Sequence, residues 1–270
     1  MRRAPPGNPL DACRRLLEIM EQSFPAEEVA ADYFLNLKIL LSARPRLEKP
    51  GQLVIGVGPG RCGSTSLAAM LETAPNSCCT HETPPLIFWS PQNEQVDFHV
   101  KRFRLLTDYF SLVADISHWW LNSIERVFAQ LPNAKAIGLI RNPNDCALSF
   151  MRIQGFGRGS FNPWARGNDF WRSGNWDPTY PTYTLPHYAE RSPDFAKFTL
   201  ITRYVREYNA QLETMAQALP GRVALVRTEE LSISEVQGRI FQMAGMNGQR
   251  STQKLNVRRV TDGKKNQIKF

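Results

Sequence analysis

The sequence predicts an α/β fold, a three-layer sandwich with helices on both faces of a central, mostly parallel sheet. Three observations predict it. Short apolar runs alternate with segments of helical periodicity. The first of these runs, at 53–57, passes directly into a glycine-rich turn at 58–66. No apolar run approaches the roughly 20 residues that a membrane-spanning helix needs, so each reads as a buried strand or a helix face.

Taken in order, residues 9–22 and 26–43 have helical spacing, with Leu16, Leu17, Ile19 and Met20 in the first and Val29, Tyr33, Phe34, Leu37, Leu40 and Leu41 in the second. Pro45, Pro50 and Gly51 then mark a linker, which makes 1–50 a helical N-terminal lead-in and 51–270 the main domain. The strand at 53–57 is followed by a helix at 65–73. A second short strand leads into His81-Glu82. Runs at 112–114 and 136–140 read as strands, and 119–130 and 145–152 as the helices after them. A long amphipathic helix spans 194–218, Pro220-Gly221 ends it, and 223–226 is the last strand. Residues 153–193 break this alternation with Gly, Pro, Arg and many aromatics, among them Trp164, Trp171, Trp176 and Tyr180. A long aperiodic segment inside a compact domain is functional or disordered, and its aromatic content argues against disorder. It reads as a lid over a bound ligand or as a second hydrophobic cluster.

Composition narrows the class. The chain has 270 residues, 42% hydrophobic and 21% charged, as a globular protein does. Met1-Arg2-Arg3 is followed by Pro5, Pro6, Asn8 and Asp11 rather than by an apolar signal core, so a soluble, cytoplasmic protein with no membrane partner is expected. The five cysteines lack metal or disulfide spacing and the four histidines are scattered, so neither a zinc site nor any other metal is expected. The net charge of +8 is concentrated near the C-terminus, where Arg250, Lys254, Arg258, Arg259, Lys264, Lys265 and Lys269 face only Asp262. That stretch suits a polyanionic ligand, a nucleic-acid contact or a solvated tail.

The turn Gly58-Pro59-Gly60-Arg61-Cys62-Gly63-Ser64-Thr65-Ser66 carries the functional signal. Between a buried strand and a helix, glycines let the backbone approach an anion closely, and the first N–H groups of the helix point at it. Three hydroxyls and the Arg61 guanidinium add donors and charge. Gly58 and Gly63 have the spacing of a nucleoside-triphosphate P-loop, but Ser64 stands where that motif carries Lys. An ordinary capped turn and a P-loop NTPase or kinase-like phosphotransferase are the alternatives.

Residues 60–67 resemble the 5′-phosphosulfate loop of the PAPS-dependent sulfotransferases. Leu139-Ile140-Arg141-Asn142-Pro143, with Ser149 further on, is similar to that family's 3′-phosphate element. The likeness is closer to bacterial and glycan-type members than to the phenol and steroid type. It covers 53–150 well and 194–260 loosely. It implies a P-loop-like sulfotransferase fold and transfer of a sulfuryl group from PAPS to a hydroxyl or amine of a small-molecule or sugar acceptor, with PAP released and no metal required. It also implies that Arg61, Cys62, Gly63, Ser64, Thr65, Ser66, Arg141 and Ser149 hold the donor. Thr228, in Val226-Arg227-Thr228-Glu229-Glu230-Leu231, matches the strand end near the adenine, and Arg258 and Arg259 stand for a late basic loop.

By the same resemblance Arg61 stabilises the leaving group and Glu82 is the base. His118, in Ala114-Asp115-Ile116-Ser117-His118, is either an alternative base or a packed histidine at a helix start. Ile116 stands where the family's corresponding element carries Lys. No nucleic-acid partner is expected of an enzyme of this kind, whereas a non-catalytic nucleotide-fold binding module would use the basic tail. Oligomeric state is left open, a homodimer included.

Overall fold

The computed structural model describes residues 27–85, 95–154 and 191–246, with isolated positions 15, 16, 18 and 87. Helix α1 (Glu27–Leu41) precedes strand β1 (Gln52–Val57), helix α2 (Ser64–Glu72), strand β2 (Ser77–His81) and helix α3 (Gln95–Thr107). Strand β3 (Leu112–Ile116), a 3-10 turn (His118–Ser123), helix α4 (Ile124–Gln130) and strand β4 (Lys135–Ile140) follow. The described chain continues through α5 (Pro143–Gln154), α6 (Pro193–Ala218), β5 (Val223–Arg227), a 3-10 turn (Thr228–Glu230) and α7 (Ser234–Met243).

The five strands form one sheet in the order β2-β3-β1-β4-β5. Every pairing is parallel, with Val54 opposite Ala114 on one side of β1 and Gly56 opposite Ile137 on the other. Alternate residues of β1 enter two separate cores. Leu53, Ile55 and Val57 meet α1 and α3–α6 on one face, while Val54 meets α2 and α7 on the other. This is the period of two expected of a strand buried on both sides, and it explains why these runs are apolar without interruption.

Helix α1 packs into the first of these cores through Tyr33, Leu37 and Leu41, with the Tyr33 ring 5.2 Å from that of Phe98. Helix α3 buries Val96, Val100, Phe103 and Leu106 at helical spacing, with His99 and Arg102 beside them on the same buried face. Strand β3 runs two residues further than its apolar start suggests, through the buried Asp115 and Ile116. The segment expected to be helical from 119 divides into a 3-10 turn and the short α4.

Chain direction sets the location of the site. From β1 the chain moves to one side, to β2 and β3, and then crosses to β4 and β5 on the other. Neighbouring strands whose outgoing connections diverge leave a crevice at their carboxyl ends, the usual ligand position in such sheets. Here that crevice lies between β1 and β4, the strands that lead into residues 58–63 and into Arg141.

Candidate active site

The loop after β1 is built to approach a ligand closely. Gly60, Arg61 and Gly63 all have positive φ (78°, 52° and 88°), so the chain folds back tightly above the start of α2. The angle at Gly60 favours glycine, and a Cβ there would press on the Phe150 ring at 3.0 Å. Gly63 caps α2 with no side-chain cap bond. Gly63 itself offers no acceptor to the first amides of α2; the Ser64 amide meets the Cys62 sulfur, and the start of the helix is a position that favours an anion. Thr65 and Arg61 are exposed, and Ser64 and Ser66 half-buried. Cys62 is buried, and burial pushes its thiol up to about 12, so only its backbone can serve a ligand.

The second element meets the first directly. Arg141, at the end of β4, donates through Nη1 to the Arg61 carbonyl, and Arg61 Nε donates to Ser149 Oγ at 3.4 Å. Asn209 of α6 donates to the Arg141 carbonyl at 3.0 Å, and Tyr204 to the Pro59 carbonyl at 3.0 Å. Arg141 Nε is buried with no hydrogen-bond partner among the described residues. A buried guanidinium N–H left without an acceptor, beside the start of a helix, suits a multivalent anion. In the sequence Tyr204 reads only as part of the apolar stripe of the 194–218 helix, and Asn209 carries no site assignment. The available signal for Asn209 was a polar residue within the apolar stripe of a long helix.

Thr228 is turned inward. Its hydroxyl contacts the Cys62 carbonyl at 2.6 Å and the Ile140 carbonyl at 3.2 Å, so it ties the end of β5 to both anion-facing segments. Its side chain shapes the loop from behind. Ile116 is fully buried, and its Cγ1 lies 2.5 Å from where a Gly56 Cβ would be. It is a core residue and presents nothing to the crevice. Arg258, Arg259 and the interior of the aromatic segment at 153–193 lie outside the described residues.

Glu82 and His118 come together although 36 positions separate them: Nδ1 of His118 lies 3.3 Å from Glu82 Oε1. Glu82 has a left-handed φ of 50°, and its N–H donates to the Ile116 carbonyl at 3.1 Å. The carboxylate is half-exposed and His118 is buried. The hydrogen bond to His118 holds the Glu82 carboxyl below its ordinary value, with smaller help from His81 and Arg61. Burial holds His118 below 6.5 despite the opposing pull of Glu82. Both directions agree on one state near neutrality, an ionised carboxylate accepting the Nδ1–H of a neutral imidazole. His81 does not join this pair; its Nε2 lies 2.9 Å from Ser64 Oγ and connects β2 to the anion loop.

No family model matches the chain, and no curated protein matches it at a significant level. Among solved structures, it is similar to a sulfotransferase from Alicyclobacillus acidocaldarius, at 18% identity and a TM-score of 0.45, over 74% of this chain and 83% of that one. It is also similar to the sulfotransferase domain of the Synechococcus PCC 7002 olefin synthase, at 14% identity and a TM-score of 0.41, over 76% and 77% of the two chains. What the site can do follows from its own residues. It offers two basic, amide-rich anion elements at one crevice and a carboxylate–imidazole pair at the same edge of the sheet.

Proposed function

We propose that the chain is a sulfotransferase that moves a sulfuryl group from PAPS to a hydroxyl or amine of a small-molecule or sugar acceptor and releases PAP. The observation that carries the reading is the junction of Arg61, Arg141 and Ser149. PAPS has two separate phosphate groups, and two anion elements that touch each other match that spacing of charge better than a single triphosphate cradle does.

In this reading the amides of residues 63–66 and the Ser64, Thr65 and Ser66 hydroxyls hold the 5′-phosphosulfate, and Arg141 and Ser149 the 3′-phosphate. Glu82 takes the acceptor's proton as the acceptor oxygen or nitrogen bonds to sulfur. The bond from sulfur to the phosphate oxygen breaks with its electron pair, and Arg61 stabilises the charge that grows there. A guanidinium keeps its protons, so Arg61 acts by charge and hydrogen bonding. His118 donates Nδ1–H to Glu82 and keeps the carboxylate oriented.

The competing phosphotransferase reading requires a magnesium site. Asp115, at the end of β3, would be its natural ligand, but its oxygens accept from Thr80 and Trp120, and Arg102 lies 3.7 Å away.

Thermal unfolding with PAP is the test. Ligand at about 100 times its Kd should stabilise the fold by about 2.7 kcal/mol, several degrees in Tm for a domain of this size. Arg141→Ala and Ser149→Ala should each reduce that shift. Stabilisation by ATP with magnesium and none by PAP would replace this reading with a phosphotransferase. Steeply salt-dependent association with nucleic acid, without PAP binding, would point to a binding module.

A further inference from the structure

Beneath the Glu82–His118 pair lies a buried polar cluster that takes no part in the reaction proposed above. Asp115 is fully buried at the end of β3. Thr80 donates to its Oδ1 at 2.5 Å and Trp120 Nε1 to its Oδ2 at 2.7 Å, and Thr83 bonds to the same carboxylate. Arg102 of α3 forms an ion pair with it at 3.7 Å and donates through Nη2 to Thr80 Oγ1 at 2.8 Å. These partners are not scattered. Thr80 and Thr83 flank His81-Glu82 in the chain, and Trp120 stands two residues after His118.

A second contact line extends the grip. Arg102 Nη1 lies 3.2 Å from His99 Nδ1, and His99 Nε2 lies 2.8 Å from the Pro85 carbonyl. A guanidinium can only donate and a carbonyl can only accept. His99 is therefore neutral, with its proton on Nε2, and it holds the chain at Pro85, three residues after Glu82. The His99 ring also packs edge-on against Trp120, with centroids 5.4 Å apart.

Replacing a buried ion pair with apolar side chains is commonly neutral or stabilising, so its presence is poor evidence for a purely stabilising role. What apolar groups cannot do is grip two separate segments through directed bonds. We propose that Asp115, backed by Arg102 and His99, is a positioning residue for the Glu82–His118 pair. It grips both segments that carry the pair and sets the separation of carboxylate and imidazole. The catalytic meaning of this role rests on the reading of Glu82 as the base; the geometric role does not.

The test uses the full chain without donor or acceptor, with histidine ring nitrogens and glutamate carboxyls followed by NMR. In the wild type near neutrality, His118 is expected as the Nδ1–H tautomer and His99 as the Nε2–H tautomer. Asp115→Asn cannot accept from both Thr80 and Trp120. It should leave the backbone amide spectrum of the sheet native while His118 passes to mixed tautomers. The Glu82 midpoint should return toward its ordinary 4.5. The PAP-induced rise in Tm should survive, because Arg61, Arg141 and Ser149 lie outside the cluster. Should Asp115→Asn fail to fold, Trp120→Phe and Thr80→Val each remove one donor, and the same two signals decide.

A folded variant in which the His118 tautomer and the Glu82 midpoint are unchanged would overturn the proposal. So would loss of the PAP response together with the native amide spectrum in all three variants, which would assign the cluster to general stability. Absence of any PAP response in the wild type would instead remove the donor reading and leave the NMR result standing.

Discussion

Replacing His99 by Gln changes the protein's response to acid by an amount the structure sets. Burial, with Arg102 beside it, pushes His99 down to about 3 from an ordinary 6.5. Between those values the unfolded chain binds a proton that the folded chain refuses, so stability falls as pH falls across that window. From about pH 7 to about pH 5 this one group costs about 2 kcal/mol, a sizeable part of the 5–15 kcal/mol that holds a typical domain together. Below about pH 3 both states are protonated and the loss stops growing. Gln reaches a similar length, donates to the Pro85 carbonyl and accepts from Arg102, but does not titrate. At neutral pH the variant should be less stable, because the ring packing against Trp120 and Phe103 is lost. Urea unfolding at the two pH values should show that deficit shrinking by about 2 kcal/mol on acidification, or changing sign. Every other titrating group is common to both proteins and cancels in the difference. Parallel losses in wild type and variant would refute the buried, neutral, Arg102-facing histidine.

Glu82→Gln keeps the shape of the carboxylate but cannot take a proton. PAP release from PAPS with an accepted hydroxyl or amine acceptor should fall about 10²–10⁴-fold, with PAP binding retained; undiminished turnover would transfer the base role to His118. The same assay across pH should show an acid limb, because Glu82 and His118 are held below 4.5 and 6.5 and lose their working state only as protons are added. That limb should be centred below 6.5, and activity should not fall above it on account of this pair. Thr228→Val leaves the Cys62 and Ile140 carbonyls without their shared donor. A loss of about 1–3 kcal/mol in urea unfolding is expected, with faster amide exchange in residues 58–63. Unchanged exchange there would remove Thr228 as the brace of the loop.

The sequence by itself determined the strand-and-helix alternation, because a strand buried on both faces must be apolar throughout and a glycine-rich turn cannot be hidden in a regular element. The glycine-rich loop at 58–66 and the Arg141–Ser149 stretch were likewise legible, since the charged and hydroxyl residues of each, and the glycines of the first, lie within nine consecutive positions. Only the tertiary structure decided what depends on contacts between distant positions. Burial of His99 and Arg102 in helix α3 depends on the Pro85 carbonyl and Asp115, partners that no neighbouring stretch of sequence supplies. Thr228 matched a ligand position in the chain, yet packing turned its hydroxyl toward two carbonyls. Glu82 and His118 were competing candidates for one role. Parallel pairing of β2 with β3, from Ser77 opposite Leu112 to His81 opposite Ile116, brings their segments side by side and makes them a pair. Register across a sheet is set by the whole core, and no stretch of sequence near either residue contains it.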